Sequence, residues 1–146
     1  MNSFKNFEAF RQSPKFNSVL YKRGTEQEII LLPTLRTFFQ DDTLEPLPDG
    51  SHFDFKGKNK FVELKSRSCN RLTYQDTAIG VDKIDYAETL FLGGSKVYFV
   101  FQYTDGLYFW EYDPIQKLKL LRYGRIPPKG IPHWFVPVDI LTPLIV

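Results

Sequence analysis

Residues 52–71 read HFDFKGKNKFVELKSRSCNR. Phe53, Phe55, Phe61, Val62 and Leu64 make this the most strand-like part of the chain, yet Asp54, Glu63 and Lys65 sit among them. Aromatic and β-branched residues on either side of a Lys-Gly-Lys-Asn turn predict a hairpin, with strands over 51–55 and 60–68. Side chains alternate along a strand, so Phe61, Glu63 and Lys65 share one face while Val62, Leu64 and Ser66 share the other. Glu63 and Lys65 then stand about 6.5–7 Å apart along the strand. Asp54, separated from Glu63 by eight residues, comes beside it across the ladder. The apolar residues on both strand faces predict cover on each side. Charges in such a place are costly unless they are paired or bind something.

Working outward, Gly24-Thr25 precedes EQEIILLPTLRTFFQ (26–40), where Thr25 and Glu28 have the spacing of a capping box. This predicts a helix from about Glu26 that Pro33 kinks or divides. An acidic loop, DDTLEPLPDG (41–50), leads into the hairpin. Upstream, Phe4, Phe7 and Phe10 suggest a short helix with one aromatic face. RLTYQDTAIG (71–80) reads as a loop entering a helix over VDKIDYAETLFLGG (81–94), with Ile84, Ala87 and Phe91 inward and Gly93-Gly94 as its stop. KVYFVFQY (96–103) is apolar on both faces and predicts a central strand. The Thr104-Asp105-Gly106 turn returns it through LYFWEYD. KLKLLRY (117–123) alternates charge and Leu as a strand does. HWFVPVDIL (133–141) suggests an edge strand that tolerates Pro137. The expectation is an α+β fold, a single domain spanning 1–146, with a mixed central sheet flanked by helices.

The chain of 146 residues is 42% hydrophobic, enough for one real core, and its 14 Phe, 8 Tyr and 2 Trp should dominate that core. A net charge of +2 does not announce a polyanion binder, but residues 52–75 alone carry +4 and the rest sums to −2. A basic field around two acids suits a polyanion held near a metal. A single cysteine, Cys69, excludes an internal disulfide framework and a cysteine zinc site. It fits the reducing cytoplasm or nucleus. No run is long enough to span a membrane and no leader is evident, so a soluble, intracellular protein is expected.

Two carboxylates converging beside an ammonium make poor sense for stability alone and good sense around a divalent cation. Mg²⁺ takes oxygen ligands and keeps several waters, so Asp54, Glu63 and a substrate phosphate oxygen suffice. Such an ion neutralises charge developing at phosphorus and activates water, and Lys65 can assist electrostatically. Asp54 followed by Glu63-Leu64-Lys65 on the next strand resembles the PD-(D/E)xK nuclease superfamily, over roughly residues 24–103. Residue 53 is Phe where the family name has Pro. The resemblance implies a restriction-endonuclease-like core in the order α-β-β-β-α-β. It implies Mg²⁺, for which Mn²⁺ substitutes, on Asp54, Glu63 and the Leu64 main-chain carbonyl, with Lys65 catalytic. It implies a glutamate from the preceding helix, Glu26 in preference to Glu28, and a Lys or Gln from the following one, Lys83 in preference to Gln75. DNA is the implied substrate, with RNA open, and cleavage of two strands implies a homodimer.

Lys58, Arg67, Arg71, Tyr74 and Gln75 are further candidates for contacting phosphates or stacking on a base. His52 and His133, the only histidines, have no evident zinc partners and suit surface or packing roles. Gly93-Gly94-Ser95-Lys96 follows a helix and reads as its cap rather than a phosphate loop. The tail ILTPLIV (140–146) either finishes the core or helps bury a dimer face. The competing expectation is a nuclease-like domain without turnover, serving to bind nucleic acid or a protein partner.

Overall fold

The structure, a computed structural model, describes residues 14–145. The expected aromatic helix over Phe4, Phe7 and Phe10 lies outside them. Over the described residues the chain is an α+β protein of three helices, a six-stranded mixed sheet and a three-stranded antiparallel sheet. Helix α1 (Pro14–Phe39) leads to β1 (Glu45–Pro46), β2 (Phe55–Gly57) and β3 (Lys60–Ser66). β4 (Asp76–Gly80) runs directly into α2 (Val81–Leu92), and β5 (Lys96–Tyr103) and β6 (Gly106–Glu111) form a hairpin. α3 (Pro114–Leu120), β7 (Arg122–Ile126), β8 (Ile131–Pro137), a 3₁₀ turn over Val138–Ile140 and β9 (Thr142–Pro143) complete it. The chain order α1-β1-β2-β3-β4-α2-β5 has one strand, β4, more than the expected α-β-β-β-α-β, and β4 belongs to the small sheet.

The large sheet is ordered β1-β2-β3-β5-β6-β9, and only β3 and β5 are parallel within it. Parallel neighbours need a crossover, which β4 and α2 supply here. β5 is the centre because both its faces are apolar. Val97, Phe99 and Phe101 pack toward α2 and the small sheet, while Tyr98 and Val100 pack toward α1, against Leu31, Leu35 and Val62. Two cores therefore cover the two faces. Val62 and Leu64 join the α1 side and Phe61 the α2 side, so Glu63 and Lys65 emerge on the α2 face as the alternation predicts.

Several expectations are corrected. α1 is already helical at Pro14, so Thr25 lies mid-helix with no open N-terminus to cap; the helix also continues through Pro33. Ladder pairing in β2 starts at Phe55 rather than residue 51, and 52–54 bend. Residues 76–80 form a strand because β8 pairs with them, Thr77 opposite Val136. Residues 114–120 form α3, since Pro114 sits in the first turn and Asp113 Oδ1 accepts from Ile115 N at 2.8 Å. That start signal outweighs the Lys–Leu alternation. β8 is the middle strand of the order β4-β8-β7, not an edge, with Pro137 at its last position. Among the described residues no helix is long and apolar enough to cross a membrane.

Candidate active site

The hairpin register Phe55↔Val62 places Asp54 opposite Glu63 at the mouth of the ladder. Asp54 is held there by its main chain: its N–H donates to Val62 O at 3.1 Å and its carbonyl accepts from Leu47 N at 2.8 Å. Its Oδ2 accepts from Leu64 N at 2.7 Å, so a side chain replaces a ladder acceptor just where regular pairing stops. Glu63 is 4% exposed. Its Oε2 lies 3.3 Å from Lys65 Nζ and 3.4 Å from Lys83 Nζ. Lys83 reaches down from the first turn of α2 and also donates to the His52 carbonyl. The His52 ring stacks on Tyr86, 4.1 Å between centroids.

Burial pushes the Glu63 carboxyl up to about 7, helped by the Asp54 charge and a hydrogen bond to Asp54, against the opposing pull of Lys65 and Lys83. Glu28 behaves alike. Burial, then the Asp54 charge and a hydrogen bond to Asp54, raise it to about 7 as well. Asp54 thus stands between two carboxyls that each retain a proton near neutrality. A hydrogen bond between carboxyls needs a shared proton, and a hard cation neutralises the same oxygens without one. Among the described residues no three acidic, His or Cys side chains close into a ready-made cage. The arrangement is a line of two pairs sharing Asp54. Mg²⁺, which keeps most of its waters, needs no cage. Asp54, Glu63 and the Leu64 carbonyl therefore fit it as a donor set.

The helix glutamate beside Asp54 is Glu28, not the preferred Glu26. Glu26 is exposed, and two helical positions turn a side chain by about 200°. Lys83 is at the site, whereas Gln75 is exposed and contributes its carbonyl to Val138 N at 2.9 Å. Arg67 and Arg71 are half-buried and committed to neutral oxygens. Arg67 Nε donates to Thr77 Oγ1 at 3.0 Å and Nη2 to the Ala78 carbonyl at 2.7 Å. Arg71 Nη1 donates to the Val138 carbonyl at 3.2 Å, with its guanidinium 5.0 Å from the Tyr108 ring centroid. Tyr74 is 67% exposed. Lys58 sits in the β2–β3 turn, where its N–H donates to Asp41 Oδ2 at 2.8 Å.

Asp41 is the charged residue that sequence reasoning passed over. It is 6% exposed, pairs with Lys60 Nζ at 2.7 Å, and bonds both the N–H and hydroxyl of Thr43. The Lys60 hydrogen bond is the largest cause holding its carboxyl well below the usual range. The Asp-x-Thr turn pattern was its available signal. No protein-family model, curated protein or solved structure matches the chain.

Proposed function

We propose that this protein is a Mg²⁺-dependent endonuclease hydrolysing phosphodiester bonds in DNA, with its site at Asp54, Glu63 and Lys65. The observation that carries the proposal is the line Glu28–Asp54–Glu63, two carboxyls with raised proton affinity flanking a third, with two ammonium groups on Glu63 Oε2. Converging acids cost a fold stability unless protons, ammonium groups or a cation offset them, and a divalent cation is the partner that all of these oxygens could share. Asp54, Glu63 and the Leu64 carbonyl would hold the ion, which supplies Lewis-acid stabilisation of the charge developing on the phosphate. Leu64 N–H fixes the Asp54 carboxylate, and burial under α2 keeps Glu63 from hydrogen-bonding freely to water. Lys65 supplies a positive charge at the scissile phosphate. Lys83 balances Glu63 at the same oxygen as Lys65, and Glu28 is a proton carrier next to Asp54.

The test uses purified protein with duplex, branched and single-stranded DNA in Mg²⁺ or Mn²⁺. Glu63→Gln and Lys65→Ala are each expected to lower cleavage by at least about 100-fold. Unchanged cleavage in both variants removes the assignment. On a duplex, cutting both strands calls for a homodimer.

One observation favours a second reading, a module that binds without turnover. Lys65 and Lys83 share one oxygen of Glu63 and compensate its charge with no metal. Calorimetric titration separates the two. Mn²⁺ binding that Asp54→Asn abolishes supports the enzyme, and nucleic-acid binding indifferent to metal supports the module.

A further inference from the structure

Beside the acidic line, a cleft of about 450 Å³ opens between the two sheets, and Lys65 is among its lining residues. The 67–75 loop makes one side. Asp76, Ala78 and Gly80 on β4 make another, with His133 opposite Gly80 in the ladder. The volume falls within the range of built ligand sites, about 300–1,000 Å³. Ala78 and Gly80 add little bulk to its lining. We infer that this cleft takes an unpaired nucleotide strand beside the scissile phosphate, with Tyr74 stacking on a base and Arg67 and Arg71 attracting the backbone. This names the substrate of the site above and rests on the nuclease reading.

Three features point to an anionic, aromatic-stacking ligand. Lys65, Arg67 and Arg71 face the cleft against one carboxylate, Asp76. Both guanidinium groups hydrogen-bond neutral oxygens among the described residues. Their charge is therefore fixed in place but not cancelled by a paired carboxylate, and it remains available to a polyanion. Arg71 Nε and the hydroxyl of Tyr103, a cleft residue 6% exposed, are buried with no hydrogen-bond partner among the described residues. The Tyr103 hydroxyl lies toward Thr77 without normal bonding geometry, and Thr77 Oγ1 already accepts from Arg67. Buried polar atoms of this kind call for a partner. Tyr74, by contrast, presents its ring to solvent at the rim. Stacking on it requires an open base face, which a paired duplex does not offer and a single strand does.

The inference is tested with the full chain in EDTA by fluorescence anisotropy, using dye-labelled oligodeoxythymidine, oligouridine and a blunt duplex. Either unpaired strand should bind more tightly than the duplex. Tyr74→Ala should weaken that binding about tenfold, the loss of one stacked base. Ser68→Glu, an exposed cleft substitution, should weaken it too. Lys119→Glu, which also makes the net charge more negative but on exposed α3, should not. Equal or tighter duplex binding overturns the inference, as does wild-type affinity in both cleft variants. Adding Mg²⁺ separates the two readings. A strand held in the cleft but never cut sustains the cleft and removes the nuclease. Cutting that Glu63→Gln abolishes, with Tyr74→Ala and Ser68→Glu binding as wild type, does the reverse.

Discussion

At the scale of a residue, Glu63 makes the metal-free fold sensitive to rising pH. A carboxyl raised from 4.5 to about 7 binds its proton more tightly in the folded chain than in the unfolded one. The folded state therefore carries the extra proton between those values, and stability falls as pH climbs through them. Below about 4.5 both states are protonated and the contribution is fully present; above about 7 it is gone. For a side chain 4% exposed, the loss is on the order of 3 kcal/mol. Glu28, raised for the same first reason, adds to the slope with the same sign. In EDTA the melting temperature is expected to drop between pH 5 and 8, and Glu63→Gln is expected to flatten that drop. A glutamine keeps the shape without the ionisation, so it should stabilise the metal-free protein at pH 8 and leave it unchanged at pH 5. A wild-type melting temperature that stays level across this window would show that Glu63 ionises as freely folded as unfolded.

At the scale of an element, the turn before β3 is locked to the end of α1. Asp41 Oδ2 accepts from Lys58 N and Lys60 Nζ, and a Cβ on Gly57 would stand 2.4 Å from that same oxygen. Gly57→Ala must displace the carboxylate from both partners, at a cost of about 1–3 kcal/mol, measured as a lower urea midpoint with an unchanged slope. Because β3 carries Glu63 and Lys65, the same variant should bind Mn²⁺ more weakly if the proposed site holds the ion. The β3 alternation was legible in sequence because its period is two whatever packs on it, and it put Glu63 and Lys65 on one face. The pairing of Asp54 with Glu63 followed from hairpin length. Glu28 was not legible as the helix partner because the Thr25–Glu28 spacing mimicked a helix start. α1 runs back to Pro14, and its packing onto the sheet through Leu31 and Leu35 is a tertiary feature that no local pattern reports. β4 was hidden for a similar reason. DTAIG has weak strand character of its own and becomes a strand by pairing with β8, more than fifty residues away. The cleft is harder still to read, since loop 67–75, β4 and β8 meet only through tertiary packing.

At the scale of the whole molecule, the substrate and the number of copies are linked. A duplex cutter needs two sites, whereas one break in an unpaired strand needs one copy. The edges of the large sheet and the tail agree with the smaller number, so a dimer face would fall elsewhere, as on the exposed Ile115, Leu118 and Leu120 of α3 or the β7 edge of the small sheet. The edge strands of the large sheet, β1 and β9, are two residues each, too short to template pairing with a second sheet. The apolar tail closes this chain's own core: Leu141 and Leu144 are 6% and 7% exposed, and β9 pairs with β6. Of the tail only Ile145 is a large apolar side chain left exposed among the described residues, and the tail alone does not make an interface. Sedimentation velocity at micromolar concentration is therefore expected to give a species of 17.1 kDa, with and without bound oligodeoxythymidine. A stable species of twice that mass would return a duplex to the site, because two copies related by a twofold axis place one acidic line on each strand. Tyr74 would then contact the outside of a helix, and Tyr74→Ala would weaken all sequences alike through backbone contacts. Mass and the Tyr74→Ala binding ratio must therefore move together: one copy with a stacking loss specific to unpaired strands, or two copies without it.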